Sequence, residues 1–193
     1  LLGAQMTEAL PAGPKAARDP ALGGWCFSDG VHRWPVSDCT AEAMSAMLAL
    51  HHVPGLLPDG ERITPQRVAQ AAEFILLRQN DDGGFGTYER RRGSTFLENI
   101  NPTAMSGQCM TERRHLLRTA ASISALSHIR DAHPALGTPR LREAIDRGVR
   151  FLRSAQRDDG SYPGFWGINF SYAIFHVVRG LREWSQMPVL VLS

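Results

Sequence analysis

Apolar positions in this chain fall into helix-like stretches that recur, each closed by a polar turn rich in glycine. Thr64-Pro65 opens one such stretch, which runs through Phe74-Ile75 to Gln79 and breaks at Asp81-Asp82-Gly83-Gly84-Phe85. Thr138-Pro139 opens another, which runs through Phe151-Leu152 to Gln156 and breaks at Asp158-Asp159-Gly160-Ser161-Tyr162. In both, Thr is a good N-cap, and Pro suits the first helical position because the amide proton there has no intrahelical partner. An earlier helix in each unit repeats as well. Thr40-Ala41 and Ser45-Ala46-Met47 return 79 residues later as Thr119-Ala120 and Ser124-Ala125-Leu126. Nothing reads as a set of alternating strands.

The repeated unit is therefore helix, loop, helix and glycine turn, at a period of 74 to 79 residues. Helices with one apolar face need neighbours to bury it. This predicts an all-α fold, an incomplete α/α toroid in which inner and outer helices alternate. The turns share a spelling. Residues 147–162 read Arg-Gly-x-x-Phe-Leu-x-x-x-Gln-x-x-x-Gly-x-Tyr, and residues 70–85 keep that spacing and end in Phe85. The Gln amide can bond backbone groups freed at the helix end, the Gly permits positive φ, and the ring covers the junction.

Composition narrows the picture. The 193 residues suffice for one core, and 43% hydrophobic with 21% charged residues is ordinary for a globular domain. A net charge of +2 argues against a nucleic-acid surface; the one tight basic run, Arg90-Arg91-Arg92, reads as a solvated loop. Three cysteines make no disulfide framework and point to a reducing, intracellular setting. Cys26, His32 and Cys39 have a C-x5-H-x6-C spacing that fits no common zinc pattern, so no metal is expected. No apolar stretch reaches the ~18 residues of a spanning helix. Residues 1–22 read as an irregular arm, 23–184 as the helical body and 185–193 as a divergent tail.

One stretch stands apart from the repeat. Gly24-Trp25-Cys26-Phe27-Ser28 is followed by Trp34-Pro35-Val36-Ser37-Asp38-Cys39-Thr40-Ala41-Glu42. The second-unit equivalent of Asp38 is Leu117, so the repeat itself needs no carboxylate there. On residues alone, Asp38 is either an N-cap for the helix beginning near Thr40 or a chemical group.

The turn spelling resembles the QW motif of triterpene cyclases, with Phe85 and Tyr162 at the positions where Trp is commonest. Val-Ser-Asp-Cys-Thr-Ala-Glu resembles the acid motif of oxidosqualene cyclases of the lanosterol and cycloartenol synthase type. Asp82-Gly83-Gly84-Phe85-Gly86-Thr87-Tyr88-Glu89 and Gly164-Phe165-Trp166-Gly167 match too. The resemblance runs over roughly residues 23–182. It implies part of the acid-bearing domain of a two-domain enzyme, the remainder being its partner. The substrate would be an oxidosqualene-like triterpene, with no cofactor, and membrane association would be monotopic. Asp38 would protonate the epoxide, Cys39 would be its thiol partner, and Phe27, Trp166 and Tyr88 would line or border the cationic cavity. Aromatic faces suit that task because they stabilise positive charge without acting as nucleophiles.

The resemblance breaks at Leu117-Arg118-Thr119, where the family has Glu-Cys-Thr. Helix alignment sets Arg118 opposite Cys39, within reach of Asp38. A guanidinium there favours the carboxylate over the acid. A second reading therefore stands beside the cyclase, that of a degenerate or isolated α/α domain that binds apolar molecules or partners without turnover. Two other α/α enzymes fit worse. Prenyltransferases need a zinc set of Asp, Cys and His that cannot be assembled here, and glycosidases need two opposed carboxylates.

Overall fold

The computed structural model describes residues 1–9, 18–28, 33–51, 53–56, 58, 62–91, 93–101, 115–164 and 170–185. Among these described residues five α-helices dominate: α1 Ser37–His51, α2 Pro65–Leu76, α3 Leu116–Ala132, α4 Pro139–Ser154 and α5 Ser171–Ser185. Two-residue strands, β1 Trp25–Cys26 and β2 Pro35–Val36, pair antiparallel ahead of α1. The fold is the all-α architecture expected, a run of α/α-toroid helix pairs.

α3 packs against α1, α4 and α5, while α2 lies over α1 and α3. Thus α1, α3 and α5 form an inner row, with α2 and α4 outside it. The sequences follow these places. α4 buries Leu141, Ala144, Ile145, Gly148, Val149, Phe151 and Leu152 on one face and turns charged residues outward. α3, enclosed on several sides, buries twelve residues, among them the small Ala120, Ala121, Ser122, Ser124 and Ala125. Small side chains let its neighbours approach closely. At Gly180 of α5, an added Cβ would lie 2.8 Å from the Ala120 carbonyl oxygen of α3.

The N-caps are as expected: Thr64 accepts from the Arg67 amide and Thr138 from that of Leu141. The glutamines also behave alike. Gln79 Nε2 donates to the Gly83 carbonyl at 3.1 Å, and Gln156 Nε2 donates to that of Gly160 at 3.0 Å. Phe85 and Tyr162 are both buried at their turns.

A third junction of this design precedes α1, and the sequence pattern had not exposed it. Gln5 Nε2 donates to the Gly23 carbonyl at 3.0 Å and to that of Arg67, just as Gln79 donates to Gly83 and Ala144. Gln5–Trp25 and Gln79–Phe85 form matching antiparallel bridges. Gly23, Gly83 and Gly160 all have positive φ, at 88°, 92° and 81°. The first glutamine and glycine are separated by an insertion, which hides the motif from a fixed-spacing search. The start of the stretch read as an irregular arm is thereby fastened to the helices, with Gln5 and Met6 buried.

Candidate functional site around Asp38

Two of the glycine junctions hand their aromatic residue to the next inner helix through a threonine. Thr40 Oγ1 accepts the Trp25 amide at 2.9 Å, and Thr119 Oγ1 accepts the Phe85 amide at 3.0 Å. Ser37 adds a second tie at α1, its amide donating to the Thr87 carbonyl and its hydroxyl to that of Gly86. The first turn of α1 is thus held from both sides, and Asp38 stands in it. Its Oδ1 accepts the Cys39 amide at 2.9 Å, and its Oδ2 lies 3.6 Å from Arg118 Nε. The helix begins at Ser37, ahead of Thr40, so Asp38 lies inside the first turn and not at an N-cap, and its Oδ1 meets only the amide of the next residue among the described residues. The Asp38 side chain is 28% exposed and that of Arg118 only 5%.

Arg118 enters this site because α1 and α3 begin 79 residues apart and run side by side. Position for position it answers Cys39 from the helix that repeats α1, and its guanidinium lies beside Asp38. Burial, and then the neighbouring Asp38 charge, push the Cys39 thiol up to about 11. At neutral pH Cys39 therefore keeps its proton and serves as a weak donor, not as a thiolate. Burial together with Arg118 pushes the His115 imidazole down to about 3, so it stays neutral beside that guanidinium.

A polar seam continues from Asp38 along α1, and sequence reading did not single it out. Glu42, one turn on, accepts Arg179 Nη1 of α5 on both oxygens at 3.1 Å. Arg179 Nε also donates to Glu183 at 3.2 Å. His176 Nδ1 stands 4.0 Å from Glu42, and burial pulls its imidazole below the ordinary range. Ser45, a further turn along, is 3.2 Å from His128 Nδ1. The spacing of Asp38, Glu42 and Ser45 could have announced this stripe, since residues three and four apart share a helix face.

Known proteins resemble this chain over most of its length. Residues 3–189 match the squalene–hopene cyclase C-terminal domain. The chain belongs to that family. A cycloartenol synthase of Dictyostelium discoideum is 40% identical over 178 residues, covering 87% of this chain and 24% of that protein. The lanosterol synthase of Mus musculus is 37% identical over 169 residues, covering 87% and 23%. That of Homo sapiens is 37% identical over 172 residues, covering 87% and 23%. The chain spans about a quarter of the length of these relatives.

Within this cyclase-family framework the expected site residues fall in different places. Asp38, Cys39 and Arg118 come together. Tyr88 lies on the segment hydrogen-bonded to Ser37, with its ring 4.8 Å from that of Trp34. Phe27 follows β1 and is 80% exposed, so its ring is not enclosed here. Trp166 lies outside the described residues. No described helix is long and apolar enough to cross a membrane.

Proposed function

We propose that this chain is the acid-bearing segment of a triterpene cyclase, and that Asp38 is its proton donor. The acid would give its proton to the epoxide oxygen of an oxidosqualene-like substrate. As a C–O bond breaks, the developing carbocation is taken up by neighbouring double bonds, and rings form in sequence. Cys39, still protonated, supports the carboxylate left behind. Phe27, Trp166 and Tyr88 are the aromatic candidates for stabilising the cation. The reading assigns the remaining cavity wall, and a monotopic membrane attachment inside the cell, to the rest of a two-domain protein.

The observation that carries the proposal is the placement of Asp38 in a doubly anchored first turn of an inner helix, beside a thiol that stays neutral. The Arg118 contact favours the second reading, a domain descended from cyclases with weak turnover or none. A guanidinium only donates hydrogen bonds, so it partners a carboxylate and not the hydrogen of a carboxylic acid. Combining the two, we expect this chain, joined to the rest of a cyclase, to turn over oxidosqualene poorly.

Cyclised product per enzyme, measured for that full-length protein and its variants, tests both statements. Arg118→Cys should raise turnover by roughly tenfold or more, the scale of one recovered catalytic interaction. Asp38→Asn should abolish it in either background. Activity surviving in Asp38→Asn would assign the acid elsewhere. Substantial and equal turnover with Arg118 or Cys would discard the inhibitory role of the arginine.

A further inference from the structure

The glycine junction after α2 carries a second polar site, far in character from the apolar chemistry proposed above. Asn80, Asp81, Arg90 and Arg91 line a cavity of about 130 Å³. Asn80 is fixed on every side but one. Its amide donates to the Gly84 carbonyl at 2.8 Å, and its own carbonyl accepts from Gly83 and from Arg147 Nη2. Its side-chain Oδ1 accepts the Arg91 amide at 2.7 Å, which orients the carboxamide and leaves Nδ2 as the free end. Among the described residues that nitrogen is buried without a hydrogen-bond partner, on a residue only 7% exposed. A buried donor without an acceptor is unusual enough to need an explanation.

Two cations lie beside it. Arg90 and Arg91 sit in the basic run read from the sequence as a solvated loop, and neither guanidinium has an ion-pair partner among the described residues. Arg147 adds a third guanidinium nearby, held by the carbonyls of Asn80 and Asp81 at 2.9 and 2.8 Å. The opposing charges are Asp81, whose side chain is exposed, and Asp19, whose Oδ2 accepts the Arg90 amide at 3.2 Å. A cavity this size exceeds a single water's share of volume several times over. Its missing element is a compact acceptor that can take the Asn80 proton while meeting two forked cations. A tetrahedral oxyanion does both, because guanidinium donors match phosphate oxygens in spacing and charge.

We propose that Asn80, Arg90 and Arg91 form a binding site for a phosphate group, either free or borne by a lipid headgroup. The site is independent of the Asp38 chemistry and would persist in a catalytically silent protein.

Titrating the protein with inorganic phosphate, by calorimetry and by thermal midpoint at constant ionic strength, should show saturable binding. Vesicles of phosphatidylcholine with and without phosphatidic acid give the second arm. Preferential capture by the phosphatidic acid vesicles, with weak response to free phosphate, assigns the headgroup; the reverse assigns the free ion. Arg91→Ser and Arg90→Ser, at exposed positions, should each weaken binding at least tenfold without altering the circular-dichroism spectrum. Asn80→Asp keeps the acceptor for the Arg91 amide while removing the donor, and should abolish binding. Arg142→Ser, which removes an equal charge from an exposed part of α4, should leave binding unchanged. The proposal fails if neither phosphate nor the acidic vesicles bind above a chloride control. It fails equally if Arg142→Ser weakens binding as much as Arg91→Ser.

Discussion

The unit formed by α1 and α2 and the unit formed by α3 and α4 share their joints and differ in their chemistry. Thr40 and Thr119 accept equivalent backbone amides. Gln79 and Gln156 close equivalent turns, with Gln5 closing the one before. Yet the residues just before those threonines diverge completely: Asp38-Cys39 in the first unit, Leu117-Arg118 in the second. What recurs is demanded by the backbone, since each turn must satisfy freed carbonyls and pass through positive φ. What does not recur is free of that demand. Asp38 and Arg118 meet because the repeat superposes their helices, so a charge placed in one unit is answered from the other.

The comparison can be sharpened first at the glycines, where the largest effect is expected. A Cβ on Gly83 would stand 2.5 Å from the Arg147 carbonyl oxygen of α4, whereas on Gly160 its nearest neighbour is the Gln156 side chain at 3.9 Å. Both positions have positive φ, costing roughly 1–2 kcal/mol for an L side chain. Gly83→Ala adds a backbone clash that α4 must retreat from, bringing its loss to about 3–4 kcal/mol. Gly160→Ala should lose about 1 kcal/mol. Denaturant midpoints of the two variants read the difference directly. Equal losses would mean that α4 does not press on the first turn as it does here.

Much of this architecture was legible in the chain. The helix pairs, the threonine caps and the glutamine turns were read from spacing alone, because each depends on a few local residues. The first junction was not, since Gln5 and Gly23 are brought together only by folding. Nor was Arg78, buried to 1% exposure, whose guanidinium holds the carbonyls of Phe74, Tyr88 and Pro20. A lone arginine at a helix end gives no sign that three separate segments will converge on it. At the site, helix register alone sets Arg118 opposite Cys39. The Glu42–Arg179 contact spans 137 residues and depends on how α5 crosses the inner row, which no local pattern encodes.

The units also differ immediately before their inner helices, where the first has buried Val36 and the second buried His115. Burial and the adjacent Arg118 push His115 from its usual 6.5 to about 3. The unfolded chain thus takes up a proton below pH 6.5 that the folded chain refuses. This contribution to stability is complete above about pH 6.5 and is lost as pH falls toward 3. The slope approaches about 1.4 kcal/mol per pH unit, so about 2 kcal/mol is gone by pH 5. His115→Val, which copies the first unit, should flatten the pH dependence of the denaturation midpoint across that window. An unchanged slope would place the acid sensitivity in other groups.

The smallest effect separates the two glutamines. Gln79 Nε2 donates both to the Gly83 carbonyl of its own turn and to the Ala144 carbonyl of α4, at 2.8 Å, in a part-buried setting. Among the described residues Gln156 Nε2 reaches only the Gly160 carbonyl, and that contact is exposed. Removing Gln79 leaves the shielded Gly83 carbonyl without this donor and takes the extra donor from the Ala144 carbonyl of α4, whereas removing Gln156 returns one carbonyl to water. A net hydrogen bond is worth about 1 kcal/mol, and a buried acceptor left open costs about as much again. Gln79→Ala should therefore lose about 2 kcal/mol, and Gln156→Ala no more than about 0.5 kcal/mol, since water can replace the exposed donor. Chemical denaturation of each variant, with the slope checked for constancy, measures both. A Gln156 loss as large as that of Gln79 would show that the last turn is braced by a contact as firm as α4 gives the first, and the two junctions would then be mechanically alike.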